Sequence, residues 1–231
     1  MKAMILAAGR GERMRPLTDV CPKPLLAAGG EPLIGWHLRG LARAGVREVV
    51  INHAYLGHMI EDWAGDGSRW GLSIRYSAET LALETAGGIR HALPLLGNGP
   101  FLVINGDIHT GWPIARAATI VAQMQAAKLL AWCVMVDNPA HHPTGDFTVE
   151  AGRLVDGGCR RFTFSGIGIY YPAMFSALID GEPAKLAPLL RELAAHKLIG
   201  AEYFAGAWTD VGSPARLAQL DAELRQTRKA T

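Results

Sequence analysis

Near the amino end, Gly9 and Gly11 frame a turn that carries Arg10, Arg13, Arg15 and Lys23, with Pro16, Pro22 and Pro24 stiffening the stretch. Bare glycine amides can approach a phosphate closely. Arginine grips two oxygens as a fork, whereas lysine is a compact, mobile point charge. Together they suit a triphosphate whose charge must be neutralised during transfer. Two aspartates stand further along. Asp107 follows the apolar run Phe101 to Ile104 in Asn105-Gly106-Asp107, and Asp210 precedes Gly212-Ser213-Pro214. Ser213 suffices as the cap of the helix that starts there, which leaves Asp210 free for another role. A lone aspartate at a strand end is often a turn residue. Phosphoryl-type transfer, however, needs a hard cation, and that cation needs carboxylate oxygens.

Other phosphate-binding signatures are excluded by residue type. Met14 stands where a dinucleotide fingerprint requires its third glycine, and Pro16 follows instead of a continuing helix. A nicotinamide site is thereby disfavoured. No Gly-Lys-Ser/Thr follows at P-loop spacing either.

The elements that must position these residues alternate between two periods. Apolar β-type runs at "KAMILAA", "REVVIN", "LSIRYS", "PFLVIN" and "LLAWCVMV" are separated by helical patterns near Pro32 to Ala44, Leu56 to Trp63, Thr85 to Leu96 and Pro113 to Ala127. That succession predicts an α/β fold: a Rossmann-like, mostly parallel mixed sheet flanked by helices. In such a sheet, ligands bind beyond the carboxyl ends of the strands, so the loops at Gly9, Asn52, Ser77 and Asn105 should converge. After Val136 the rhythm changes to a hairpin around Ala151-Gly152, a strand in "FTFSGIGIYY", and two helical stretches flanking "LIGAEYF". With no linker, repeat or low-complexity segment, residues 1–231 read as one domain whose second half adds strands and a small β lid.

Composition narrows the partners. The formal charge is +2, from 23 basic and 21 acidic residues, so there is no blanket attraction to nucleic acid or membrane. Three separated cysteines, Cys21, Cys133 and Cys159, argue against a disulfide framework or a zinc site. The apolar run Ala3 to Ala8 is too short for a signal-peptide core, which points to the cytoplasm. No protein partner is implied.

The run Leu6-Ala7-Ala8-Gly9-x-Gly11-x-Arg13-Met14-x-Pro16-Leu17-Thr18, followed by Pro22-Lys23-Pro24-Leu25, resembles the signature of the sugar-1-phosphate nucleotidyltransferases. The resemblance implies the fold of that family, related to the GT-A glycosyltransferases. It also implies an active site. Ala7, Ala8, Gly9, Gly11 and Glu12 would hold the nucleotide phosphates, Arg13 would stabilise the departing pyrophosphate, and Lys23 would bridge toward the α-phosphate. Asp107 and Asp210 would share Mg²⁺, the latter in a Trp-x-Asp-x-Gly-Ser-Pro segment where the family has threonine for Ser213. Glu12 replaces a frequent threonine, and its carboxylate is tolerable there if it points away from the phosphates.

"SAETLALETAGGIRHAL" resembles the segment that meets the base, with Glu79 near its edge and Glu84-Thr85-Ala86-Gly87 where Gly-Thr-Ala-Gly is frequent. Glu79 could accept the N3–H of uracil or two donors from guanine, so its chemistry leaves the base open; Thr85 and Asn105 complete the nucleotide set. The family's usual Glu-Lys-Pro sugar segment is absent between Gly152 and Arg161. "INHAYLG", "DGSRWGLSIRYS", "VDNPAHH" and "KLAPLLREL" instead resemble the short branch that acts on N-acetylmuramate 1-phosphate in peptidoglycan recycling, which implies UTP and that sugar 1-phosphate as substrates. Asn105, Gly145, Asp146, Ser165 and Gly166 are the sugar candidates. Adjacent His141 and His142 point to different sides of an extended segment and cannot easily chelate one ion, so they read as shaping a loop. The rival readings are a guanylyl- or thymidylyltransferase on another hexose or heptose 1-phosphate, and a non-catalytic nucleotide-sugar sensor. A sensor has little reason to retain Arg13, Lys23, Asp107 and Asp210 together.

Overall fold

The computed structural model describes residues 1–230, with side chains through Thr227. In chain order the first half runs β1 (Lys2–Leu6), β2 (Ala27–Ala28), β3 (Glu31–Pro32), α1 (Leu33–Arg43), β4 (Glu48–His53), α2 (Gly57–Ala64), β5 (Ser73–Ala78), α3 (Glu84–Leu96) and β6 (Phe101–Asn105). There follow β7 (Ile108–Thr110), α4 (Arg116–Ala126), β8 (Ala131–Val136), β9 (Thr148–Glu150), β10 (Arg153–Val155), β11 (Thr163–Tyr170), α5 (Leu186–Ala195), β12 (Ile199–Tyr203), β13 (Trp208–Asp210) and α6 (Pro214–Ala230).

Among the described residues the main sheet has nine strands in the order β5-β4-β1-β6-β11-β8-β12-β10-β9. Only β11 and β10 run against the rest, so the sheet is mixed and mostly parallel. Of the strands between helices, β1, β4, β6 and β8 carry buried apolar residues on both faces, as burial on both sides demands, whereas the edge strand β5 alternates buried and exposed positions. Along β1, Ala3 and Ile5 face the layer of α1, α2 and α4, while Met4 faces α3 and α5. β6 divides the same way, Leu102 and Ile104 on one side, Phe101 and Val103 on the other.

Local chemistry sets the breaks. α1 ends where Gly45 takes φ 80, and the Gly45 and Val46 amides return to Ala42 O and Leu41 O. That left-handed exit is open to glycine at little cost. The hairpin turns at Ala151 and Gly152, both with positive φ. The second half does more than extend an edge: β11 enters between β6 and β8, while β9 and β10 cover the far end beyond β12.

His37 of α1 is 3 % exposed, and its Nε2 has no hydrogen-bond partner among the described residues. Burial, with a contribution from nearby His109, pushes its imidazole from the ordinary 6.5 down to about 4, against an opposing pull from the Ile108 backbone and Asp107. The unfolded chain therefore takes up this proton well before the folded one does. The stability this supplies is complete above the unfolded value and is lost as pH falls through the folded one, amounting to about 3 kcal/mol. Melting temperature should fall between pH 6.5 and 4, and the slope should flatten in His37→Gln; an unchanged slope would exclude His37 as its source.

Candidate active site

Parallel register brings the sequence candidates to one end of the sheet. Leu6 lies level with both Asn52 and Asn105, and Asn52 with Ser77, so the residues that follow each strand emerge side by side. Beyond them is a cleft of about 370 Å³ whose walls include Ala7, Ala8, Gly9, Lys23, Glu79 and Thr85. A second cleft of about 430 Å³ is walled by Arg13, Asp146, Ser165, Gly166, Trp208 and Asp210. The two share Asn105 and Asp107.

One buried network builds the first cleft. Asn52, 3 % exposed, accepts the Ala7 N–H on Oδ1 at 2.9 Å and donates from Nδ2 to Glu79 Oε1 at 2.6 Å. Glu79 Oε2 accepts the Leu83 N–H at 2.9 Å. This ties the start of the glycine loop to the segment before α3. Gly88 admits that approach, since a Cβ there would lie 2.6 Å from Glu79 Oε1 and 2.9 Å from Asn52 Nδ2.

Glu84, next to Thr85, has φ 60. A left-handed backbone with a Cβ is strained, and glycine relieves it. Glu84→Gly should raise stability by up to about 1 kcal/mol, a rise of roughly 2–4 °C in melting temperature. A lower melting temperature would mean that the glutamate side chain outweighs the strain.

Gly11, Glu12 and Gly145 line neither cleft. Gly11 has φ 70, and its carbonyl receives the Thr18 hydroxyl at 2.8 Å and the Met14 N–H at 2.8 Å, so it shapes the loop. The Glu12 carboxylate is 70 % exposed and lies 4.0 Å from Arg10 Nε. Gly145, at φ 62, is pressed against Asn138, which a Cβ would meet at 2.7 Å.

The two aspartates meet through a ribbon too short to show in sequence. β7 and β13 pair antiparallel with Ile108 opposite Asp210, and the Val211 N–H reaches Asp107 O at 2.9 Å. Asp107 Oδ2 accepts from Lys23 Nζ at 2.5 Å, the lysine side chain being 9 % exposed. Asp210 Oδ2 accepts from Arg216 Nη1 at 2.8 Å and lies 3.2 Å from His141 Nε2. Ser213 caps α6, its Oγ 3.4 Å from the Arg216 N–H. No group of three His, Cys, Asp or Glu able to enclose a metal occurs among the described residues. Two carboxylates, each with Oδ1 left without a partner among the described residues, fit a hard divalent cation that keeps waters and phosphate oxygens in its shell.

The sugar candidates lie on β11 (Ser165 and Gly166), in the loop between β8 and β9 (Gly145 and Asp146) and at the end of β6 (Asn105). Between Phe164 and Gly168 the pairing of β11 with β8 is bulged. The bulge turns Gly166, φ 79, against the Asn105 side chain, and the Ser165 carbonyl accepts the Trp208 indole N–H at 2.9 Å. Ser165 is 1 % exposed, its Oγ accepting the Ile167 N–H at 3.2 Å. Both Asp146 oxygens are engaged, by His142 Nε2 at 3.0 Å and by the Phe164 N–H at 2.8 Å.

Arg216, Asn52 and His141 were not among the sequence candidates. For Arg216 a signal exists: helical side chains lean back toward the N-terminal turn, so a first-turn arginine lies over an aspartate that precedes the helix. Asn52 has only its place near the carboxyl end of β4, and His141 only its place in the loop after β8.

Comparison with known proteins agrees with this geometry. The chain is 51% identical over 226 residues, 96% of its length and 97% of the other's, to the N-acetylmuramate alpha-1-phosphate uridylyltransferase of Neisseria meningitidis serogroup B. To the protein of that name from Caulobacter vibrioides it is 36% identical, over 96% of each chain. The solved structure of UDP-glucose pyrophosphorylase complexed with UDP-glucose superposes with a TM-score of 0.78 at 20% identity, covering 98% of this chain and 99% of that one, which supports the fold. A glycine loop that opens one cleft, a carboxylate pair on a second that shares Asp107 with the first, and a family model for nucleotidyl transferases that matches residues 2–156 lead to one conclusion: the chain belongs to the nucleotidyl transferase family.

Proposed function

We propose that this protein transfers UMP from UTP to N-acetylmuramate 1-phosphate, forming UDP-N-acetylmuramate and pyrophosphate, in the cytoplasm and in service of peptidoglycan recycling. The observation that carries the transfer is the wall shared by two clefts, Asn105 and Asp107, where a nucleotide in one would meet a sugar phosphate in the other. The choice of sugar and base follows the relative that is 51% identical over nearly the whole chain. No helix among the described residues is long and apolar enough to cross a membrane, which accords with that location.

A phosphate oxygen of the sugar 1-phosphate attacks the α-phosphorus of UTP in line. The new oxygen–phosphorus bond forms as the bond from the α-phosphorus to the bridging oxygen breaks, and that electron pair leaves with pyrophosphate. The attacking oxygen is already anionic, so no general base is required, and catalysis is positioning plus charge neutralisation. Gly9 and the Ala7 and Ala8 backbone receive the phosphates, with Gly11 and Glu12 holding the loop behind them. Lys23 moves from Asp107 toward the α-phosphate, and Arg13 neutralises the leaving pyrophosphate. Glu79 and Thr85 hold the base, each Glu79 oxygen keeping a lone pair for the N3–H of uracil. Asn105, Asp146, Ser165 and Gly166 contact or shape the sugar pocket, and Gly145 sets the turn behind it. Mg²⁺ is the metal that Asp107 and Asp210 would hold, and when bound it supplies neutralisation of charge on the phosphate oxygens.

The test is pyrophosphate release with UTP, GTP, dTTP and CTP, each against muramate-, glucosamine-, glucose- and mannose-type 1-phosphates. UTP with N-acetylmuramate 1-phosphate should give the highest kcat/KM. Activity with GTP alone would overturn the base assignment.

A further inference from the structure

We propose that His142, oriented by Asp146, recognises the carboxylate of the lactyl arm that distinguishes N-acetylmuramate from N-acetylglucosamine. The inference rests on the reading of the acceptor as N-acetylmuramate 1-phosphate and adds the specificity-determining contact. The second cleft is lined by Asp107 and Asp210, already paired with Lys23 and Arg216, and by Asp146, so an additional anionic group on the sugar is accommodated best where a further cation faces it. Three cationic or cationisable side chains reach this cleft: Arg13, His141 and His142.

Two of the three have other work. Arg13 stands on the glycine loop, where the transfer reaction places the leaving pyrophosphate. His141 is enclosed, its Nε2 lying 3.2 Å from Asp210 Oδ2 and Arg216 Nη1 lying 3.1 and 2.6 Å from its two ring nitrogens. His142 differs in having one nitrogen held and one open. Its Nε2 is 3.0 Å from Asp146 Oδ1, and Nδ1 has no partner among the described residues.

The holder is itself fixed. Asp146 Oδ2 accepts the Phe164 N–H at 2.8 Å, and the Asp146 carbonyl receives Arg161 Nη2. Asn138 braces the loop, donating to the carbonyls of Pro143 at 3.2 Å and Arg161 at 3.0 Å and accepting the Thr163 hydroxyl at 2.8 Å. Asp146 thus acts on the sugar through the ring it holds. When the ring carries both protons, Nε2–H is spent on Asp146 and Nδ1–H donates to the ligand's carboxylate, a charge-assisted bond that a neutral sugar cannot make.

The experiment measures kcat/KM of the full-length enzyme and of His142→Gln with N-acetylmuramate 1-phosphate, its lactyl amide and N-acetylglucosamine 1-phosphate. In the wild type the acid should exceed the amide by roughly 10- to 100-fold. In His142→Gln that ratio should fall to about one, with the difference in KM. An acid-to-amide ratio that survives in the variant places the carboxylate elsewhere. Equal losses on acid and amide reduce His142 to a loop residue, and a wild type indifferent to the amide excludes any carboxylate contact. Transfer onto N-acetylglucosamine 1-phosphate with none onto the muramate compound would overturn the acceptor reading and this contact together; a muramate preference unmoved in the variant overturns the contact alone.

Discussion

Asp107→Ala should lose pyrophosphate release by at least about 1,000-fold with magnesium present, because its carboxylate is asked to hold the cation that neutralises the transferring phosphate. The same substitution strips the Lys23 ammonium of the one partner it has among the described residues, and the lysine side chain is 9 % exposed. An uncompensated, mostly buried ammonium is destabilising, by about 1–3 kcal/mol once the partial exposure of Asp107 is allowed for. Asp107→Asn keeps the shape and an acceptor oxygen for Lys23 while removing the negative charge. Comparing the two by thermal unfolding and by turnover separates the roles. Both should be inactive, with the asparagine protein the closer of the two to wild-type stability. Near-wild-type, magnesium-dependent turnover by Asp107→Asn would remove Asp107 from the chemistry.

The second large effect is on stability. Glu79→Ala leaves the Asn52 amide and the Leu83 N–H without acceptors in a place where Glu79 is 7 % exposed. Each orphaned donor costs roughly 1–3 kcal/mol, reduced where cleft water can enter, so a loss of about 2–4 kcal/mol is expected. Melting temperature should drop by roughly 5–15 °C. The KM for UTP should rise as well, since Asn52 also fixes the Ala7 amide at the head of the glycine loop. Glu79→Gln retains one acceptor and should recover part of the stability. A Glu79→Ala protein as stable as the parent would show that the network is replaceable by water.

Most of the layout that positions the site was legible in sequence, because strands buried on both faces leave long apolar runs and a parallel register forces their ends to one side. The convergence of Gly9, Asn52, Ser77 and Asn105 followed from that. Less legible was whatever depends on pairs distant in the chain. β7 and β13 are three residues each, too short to carry a period, yet they set Asp107 beside Asp210. Glu84 was seen as a departure from glycine, but its left-handed backbone is a property of the fold. His142 read as shaping a loop, since nothing in His141-His142 says which ring an aspartate four positions on will hold. The bulge in β11 left no mark beyond Gly166, one glycine among 27.

The β7–β13 ribbon has a consequence in time. A polypeptide is made from its amino end, so the glycine loop, Lys23, Asn52, Glu79 and Asp107 all exist long before Trp208 to Asp210 are added. The late segment is then clamped onto the early one, the Gly29 N–H reaching Asp221 of α6 at 2.8 Å. A nascent chain can therefore lay down the strands of its nucleotide cleft while its carboxylate pair is still incomplete. Ribosome-bound protein should thus be unable to consume nucleotide until Asp210 has been added. By the same logic, a protease that cuts between β12 and β13 would silence the enzyme while leaving every strand of the main sheet uncut.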